Sequence, residues 1–481
     1  MIAAALLVLG TACVPARAAT ETVGLDPLLN ILDEIQHKYV DESKIGTPRL
    51  LAKAEEGVVD SLDEESYILP DGPPPGEAGP GLAAATRDGG ALVVDVIEGG
   101  PAEKAGVRTG DRLLRVNGEP AAGRKQPELD RALLGAAGAS VWLLWEDADG
   151  EYREAKVERA AVARPAWRRV ALPHGDVIQV FRLDESAGAG IRAALAAGTG
   201  GPGLVLDLRA CTTGDPDAAL ALAESCLPAG VLLATGRGPG GVARRYEVTR
   251  KTPPISTALA LLIGPGTRGP AEILAAALTG AGRAVAVGRR TFGFAGRQRE
   301  FPLAGEGKRR VRLTVERFFS PGDVSLTGTG VGADLPSPPG LPREVVRVLE
   351  RHGIPGRIVD RLVASPPAEY DAAALARGEL KLTLTVSGGK SVAEQRGEFE
   401  QAFQIVADAV AREAGAELPR DAFDQARLQL ISRVRVLLAR RQMKPDDALA
   451  AALKEDADVQ LGADVLAALK RLVPGAKGKG S

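Results

Sequence analysis

The sequence is poor in the residues from which reactive centres are most often built. Its 481 residues include only three cysteines and three histidines. Cys13, Cys211 and Cys226 are too few to form a disulfide framework for a chain of this length. His37, His174 and His352 stand far apart, so a His-rich metal centre is not expected. No metal and no cofactor is expected. Aromatic residues are 4% of the chain, and the core must be built from Ala, Leu and Val. Neither sign of charge is in excess: 60 Lys+Arg face 62 Asp+Glu, for a net charge of −2. A dedicated nucleic-acid binder would be strongly basic, so that class is excluded. The pairs Gly201–Gly203 and Gly236–Gly238 lack the GxGxxG context of a nucleotide loop. What remains is ordinary globular composition, 45% hydrophobic and 25% charged, at a length of about three domains.

Ile2 to Val14 is apolar apart from Gly10, Thr11 and Cys13, and no Lys or Arg precedes it. The run is too short to span a bilayer comfortably. It ends in Ala16-Arg17-Ala18, a small-x-small pattern of the kind a signal peptidase cuts. Residues 1–18 therefore read as a signal peptide cleaved near Ala18. That places the protein in the periplasm or cell envelope, at the membrane periphery at most. Lipidation at Cys13 is the weaker reading, because Gly10-Thr11-Ala12 is a poor lipobox.

Residues 25–68 carry apolar positions at helical spacing and predict two helices. Asp71 to Gly81 is a Pro/Gly linker. Strands are expected at 91–96 and 113–116, with a hairpin over 141–145 and 152–157. From Val177 strands at 177–181, 204–208, 231–234, 258–263 and 284–287 alternate with helices near 188–198, 216–226 and 270–281. That grammar predicts an α/β core with largely parallel pairing. A strand at 311–319 and a Pro-rich linker over 336–342 follow. Helices are expected at 342–364, 394–414, 419–442 and 445–472, with a strand at 380–386. Arg164, Arg168 and Arg169 around Trp167 read as a solvated face. Cys211 and Cys226 are not expected to pair, since a helix carries one away from the other.

The order of these pieces resembles the C-terminal processing peptidases, or tail-specific proteases. Tyr39-Val40-Asp41 followed by Ser61-Leu62-Asp63 and Ser66-Tyr67 is similar to that family's N-terminal pattern. Gly100-Pro101-Ala102-Glu103-Lys104-Ala105-Gly106-Val107, with Gly110-Asp111 and Val116-Asn117-Gly118, looks like a PDZ stretch. Leu206-Asp207-Leu208-Arg209, Glu272-Ile273 through Gly282-Arg283-Ala284, Thr291-Phe292-Gly293, and Gly328 to Asp334 resemble motifs of the catalytic core. The resemblance covers roughly residues 25–336. It implies a multi-domain α/β protein: an N-terminal helical segment (19–70), a PDZ-like β-rich domain (79–160), a crotonase/Clp-like peptidase core (165–336) and a helical C-terminal region (341–481).

The family's chemistry is a serine activated by a lysine. A hydroxyl becomes a nucleophile only when a base takes its proton, and a desolvated lysine can be that base. The family's GSASASE falls on Gly266-Thr267-Arg268-Gly269-Pro270-Ala271-Glu272, which puts Gly269 in the nucleophile's place. TFGKGxxQ falls on Thr291 to Gln298, which puts Phe294 in the lysine's place and retains Gln298. An acidic residue on the helix after the nucleophile is replaced by Gly280. The oxyanion loop keeps Gly214 but has Thr213 where a glycine is expected, and Pro270 removes a backbone N–H nearby. The expectation is a pseudopeptidase. Two competitors remain: an active enzyme with a displaced nucleophile at Cys211, Thr213 or Thr267, and a structural subunit of an active relative.

A PDZ groove takes a chain end by strand addition, holding the carboxylate with backbone N–H groups. The resemblance puts that loop at Gly81, Leu82 and Ala83, with the groove along 82–86. The expected partners are protein C-terminal tails or unfolded polypeptide.

Overall fold

The computed structural model describes residues 26–40, 46–63, 65–69, 78–87, 90–147, 150–161, 164–172, 175–198, 202–303, 309–337, 360, 436–437 and 439–472. The signal segment, His174, His352, the helices expected at 342–364 and 394–414, most of that at 419–442, and the strand at 380–386 lie outside the described residues. The chain divides into two units, 1–63 and 64–481. The first holds the two expected helices, α1 (Asp26–Lys38) and α2 (Thr47–Asp60), bridged by a Gln36 Nε2 to Thr47 Oγ1 hydrogen bond of 2.6 Å.

The second unit opens with strand β1 (Tyr67–Leu69). An antiparallel sheet follows, built from β2 (Leu82–Arg87), β3 (Gly90–Val96), β4 (Arg112–Val116), β5 (Glu119–Pro120), β6 (Ser140–Glu146) and β7 (Tyr152–Glu158). Its strand order is β2-β3-β4-β6-β7, with β5 on β4. Two helices accompany it, α3 (Pro101–Lys104) and α4 (Gln126–Leu133). Val93, Val107, Leu113, Leu129, Val141, Leu143 and Trp145 form its core.

The α/β core comprises β8 (Trp167–Val170), β9 (Asp176–Val180), β10 (Arg182–Leu183), α5 (Glu185–Ala197), β11 (Leu204–Asp207), β12 (Thr213–Gly214), α6 (Pro216–Cys226), β13 (Leu232–Arg237), β14 (Ala243–Glu247), β15 (Leu259–Ile263), α7 (Pro270–Gly280), β16 (Ala284–Gly288), β17 (Gly296–Pro302), β18 (Arg310–Phe319) and β19 (Leu335–Pro336). Its six-stranded sheet has the order β19-β16-β15-β11-β9-β8, parallel throughout except where β8 joins β9. A second, antiparallel sheet runs β1-β18-β13-β14, with β17 on β18.

Strands covered on both faces read as apolar runs, and β15 (LALLI) and the first three residues of β11 (LVLD) do. Alternate residues serve opposite faces. Leu204, Leu206, Leu259, Leu261 and Ile263 pack with Ile191, Leu222 and Ile273 of α5, α6 and α7. Val205, Ala260 and Leu262 face the other way, onto α8 (Pro445–Lys454) and α9 (Ala457–Leu472) through Leu453, Val459 and Leu466. The expected single helix over 445–472 is therefore two, broken at Glu455 and Asp456; Asp456 accepts from the N–H groups of Asp458 (2.9 Å) and Val459 (3.1 Å), as an N-terminal cap does. Gly203 allows the close approach: a Cβ there would lie 2.5 Å from the Ala258 carbonyl oxygen and 2.8 Å from Leu466 Cδ2.

Of the arginines around Trp167, Arg169 is exposed as expected, whereas Arg164 and Arg168 are half-buried. Arg164 pairs with Asp95 of β3 and lies 3.3 Å from the Phe181 ring centroid, and Arg168 Nε donates to Gln179 Oε1 at 2.8 Å. These side chains spend their charge on partners and their flat faces on an aromatic ring.

Candidate active site and peptide groove

Three loops at the ends of parallel strands meet where an α/β sheet usually holds ligands. The loop after β11 carries Cys211, the loop after β15 carries Gly269, and the segment after β16 carries Phe294. Backbone hydrogen bonds stitch them: Arg268 N–H to Cys211 C=O (3.1 Å), Phe292 N–H to Thr267 C=O (3.0 Å), and Gly269 N–H to Phe294 C=O (2.8 Å). Gly269 and Phe294, 25 positions apart in sequence, are thus neighbours.

Gly269 has φ +61° and ψ −118° at a strand-to-helix turn. Sharp turns of this kind are where α/β-hydrolases hold out a nucleophile, under strain for any residue with a Cβ. Glycine is relaxed there. A Cβ would find its nearest neighbour 4.0 Å away, so space is not what is lacking. Pro270 occupies the first turn of α7, where its missing N–H costs the helix nothing.

Glu272, fully buried, holds the loops together. Its carboxyl accepts from Thr291 Oγ1 and from the N–H groups of Gly293 (2.7 Å), Phe294 (2.8 Å) and Gly269 (3.2 Å). Burial pushes this carboxyl above the usual range, against the pull of those donors. Beside it Arg268 pairs with Glu65 and, at 3.4 Å, with Asp130 of α4, and its guanidinium lies 5.1 Å from the Phe292 ring centroid. Both ionic residues escaped the sequence reading. The sequence pattern gives Glu272 no role of its own, and the only local signal for α4 is Leu129 and Leu133 at i, i+4.

The other expected residues are scattered. Gln298 donates from Nε2 to the Glu65 carbonyl oxygen (2.7 Å). Gly280 closes the far end of α7, roughly 16 Å from Gly269 at helical rise, against Pro321. It is not brought to the loops. Thr213 and Gly214 form β12, paired with Arg182 and Leu183 of β10, and are exposed. Cys211 is fully buried, and burial pushes its thiol up to about 12. Cys226 is buried too, and both thiols are free. Thr267 is buried, its hydroxyl donating to the Leu208 carbonyl (3.0 Å).

In the antiparallel sheet, β2 is an edge strand paired only with β3, Leu82 opposite Val96 and Ala83 opposite Asp95. Gly81, just before it, has φ +80° and accepts from the Ile97 N–H at 2.8 Å. Helix α4 flanks the strand: Gln126 Nε2 donates to the Ala84 carbonyl (2.7 Å), and Gln126 Oε1 accepts from the Thr86 N–H (2.8 Å).

Comparison with known proteins agrees with this geometry. Residues 177–337 match the model of peptidase family S41, and residues 92–147 that of a PDZ domain. A chloroplastic C-terminal processing peptidase of Tetradesmus obliquus is 30% identical over 299 residues, 56% of this chain and 63% of that protein. A carboxy-terminal-processing protease of Bartonella bacilliformis is 26% identical over 332 residues, 64% of this chain and 73% of that one. The carboxy-terminal processing protease CtpA of Bacillus subtilis is 24% identical over 290 residues, 57% of this chain and 61% of its own. The chain thus spans roughly two thirds of the length of these curated relatives. The solved photosystem II D1 C-terminal processing protease shares the fold, with a TM-score of 0.52 at 23% identity, over 67% of this chain and 95% of that one.

Proposed function

We infer, for a chain whose residues 177–337 match the peptidase family S41 model and whose residues 92–147 match that of a PDZ domain, that it holds the extended C-terminal tails of other proteins without cutting them. The observation that carries this reading is the 2.8 Å contact between Gly269 and Phe294. The resemblance assigns these positions to nucleophile and base, and they meet through backbone atoms alone. An acyl transfer needs an oxygen or sulfur to attack and a group to take its proton. A glycine and a phenylalanine supply neither. The displaced-nucleophile reading finds little support: Cys211 is buried with its thiol at about 12, and the Thr267 hydroxyl is committed to a carbonyl. The edge of β2 supports a role in binding, since strand addition needs an edge without a partner strand.

Neither metal nor cofactor enters this proposal. The partners would be free protein C-termini or unfolded segments, with an active relative as a further candidate. Among the described residues no helix is long and apolar enough to cross a membrane. Export to the cell envelope is the location proposed, on the strength of residues 2–18. Protein recovered from its own cell should then begin after Ala18.

The test uses protein purified from a host lacking related proteases and an unstructured tail as substrate. The natural chain should leave the tail whole. Gly269→Ser/Phe294→Lys tests whether the scaffold still supports the chemistry. Specific cleavage by the natural chain, surviving repurification, would refute the proposal. If iodoacetamide stopped that cleavage, Cys211 would be the nucleophile.

A further inference from the structure

The free edge of β2 is not empty. Gln126, the first residue of α4 and only 2% exposed, lays its side-chain amide along it. Its Oε1 accepts from the Thr86 N–H at 2.8 Å and from the Thr86 hydroxyl at 3.1 Å. Its Nε2 donates to the Ala84 carbonyl and to Asp130 Oδ1, both at 2.7 Å. A carboxamide has two acceptor lone pairs and two N–H donors, and all four are used. The group has the same donor and acceptor as a main-chain peptide unit. It bonds to one strand residue's N–H and to the carbonyl two residues earlier, as one residue of a parallel neighbouring strand would.

We propose that Gln126 is a built-in competitor for the strand-addition site: a tail reaches the β2 edge at Ala84 and Thr86 only by displacing this amide. The inference rests on the tail-binding reading above and adds a gate to it. Asp130 anchors the amide from the same helix and is itself paired with Arg268, so the competitor is held in place rather than swinging freely. Nothing else on the edge duplicates the arrangement among the described contacts of β2. Displacement gives the incoming backbone the same two bonds that the amide surrenders, so those bonds add little net affinity in the natural protein. Removing the amide leaves a buried N–H and C=O for the tail alone to satisfy. With two hydrogen bonds no longer surrendered, affinity should rise roughly ten- to thirty-fold.

Two variants separate gating from folding. Gln126→Ala removes the amide and opens space; Gln126→Met removes the amide but keeps most of the volume. The first measurement needs no ligand. Hydrogen exchange at the Thr86 amide should be slow in the natural protein and at least about ten-fold faster in both variants, with exchange in β4 and β6 unchanged. Unchanged exchange at Thr86 would overturn the proposal. The second uses a fluorescein-labelled decapeptide of Gly and Ser ending in Val with a free carboxylate, beside its C-terminal amide. Gln126→Ala should bind the free-carboxylate form at least ten-fold more tightly than the natural protein, and the tail should slow Thr86 exchange again. If the natural protein binds as tightly as Gln126→Ala, the gate is refuted while tail binding stands. If exchange responds but no form binds any tail, the tail-binding reading falls and the competitor role falls with it.

Discussion

Arg209 offers the most demanding test of how the core is assembled. It sits just after β11 and donates from Nε and Nη2 to Asp207 (2.9 Å each), while Nη1 reaches Asp456 (3.1 Å), between α8 and α9, and Asp458 (3.3 Å) of α9. Asp207 is 5% exposed. Burial alone would raise its carboxyl, and the Arg209 guanidinium overrides this and holds it below the usual range. Its remaining side-chain donor is Gln179, at a long 3.4 Å. Arg209→Met keeps the stem and removes the charge, leaving a buried carboxylate without its cation. Breaking a buried pair from one side costs about 3–5 kcal/mol. At about 2.1 cal/mol/K of unfolding entropy per residue, a unit spanning 64–481 should lose roughly 3–6 °C from its midpoint of thermal unfolding. Replacing both partners, as Asp207→Asn/Arg209→Met, should recover most of the loss, because no buried charge remains. The assay is thermal unfolding of all three proteins at pH 7, with hydrogen exchange over 457–472 to follow α9. Acid should narrow the gap between natural and Arg209→Met proteins, since the charged Asp207 that stabilises the natural form is lost as pH falls through its depressed value. A loss below about 1 kcal/mol for the single variant, or a double variant as damaged as the sum of its parts, would refute the reasoning.

Burial pushes the Asp111 carboxyl from its ordinary 3.8 up to about 6, so the native state binds that proton more tightly than the unfolded chain. Its contribution is whole below about pH 4 and is lost as pH rises through 6; urea titrations should show that slope in the natural protein and not in Asp111→Asn. Glu272→Ala orphans the buried N–H groups of Gly293 and Phe294 and should cost about 2–6 kcal/mol by the same titration. Gly203→Ala sets a Cβ against the Ala258 carbonyl, a backbone atom with nowhere to go, and should cost about 1–3 kcal/mol in thermal unfolding. Cys211 should resist iodoacetamide at pH 8 in the native protein and react promptly in guanidinium, as peptide mass mapping would show.

The α/β core was legible because its signals are local and redundant. Apolar runs such as Leu204–Asp207 and Leu259–Ile263, each followed by a turn and a helix, announce buried parallel strands almost to the residue. The contact between Gly269 and Phe294 could be anticipated only through the resemblance. What escaped notice depends on partners distant in sequence. Arg164 looks solvated until Asp95 and Phe181 are beside it, and Arg268 until Glu65 and Asp130 are. Helix α4 is eight residues with Pro127 in its first turn, too short for periodicity to speak. The break at Asp456 was missed because α8 and α9 share one apolar pattern, and only the cap on Asp458 and Val459 separates them.

The double cover of the central sheet bears on where this protein can safely be cut. The S41 match stops at residue 337, yet α8 and α9 roof half of that sheet's apolar surface from more than a hundred residues further on. A fragment trimmed to the matched span would present Val177, Val205, Ala260, Leu262 and Val287 to water as one greasy plane, and its fate would be precipitation. The smallest soluble version of this core should therefore extend to Leu472.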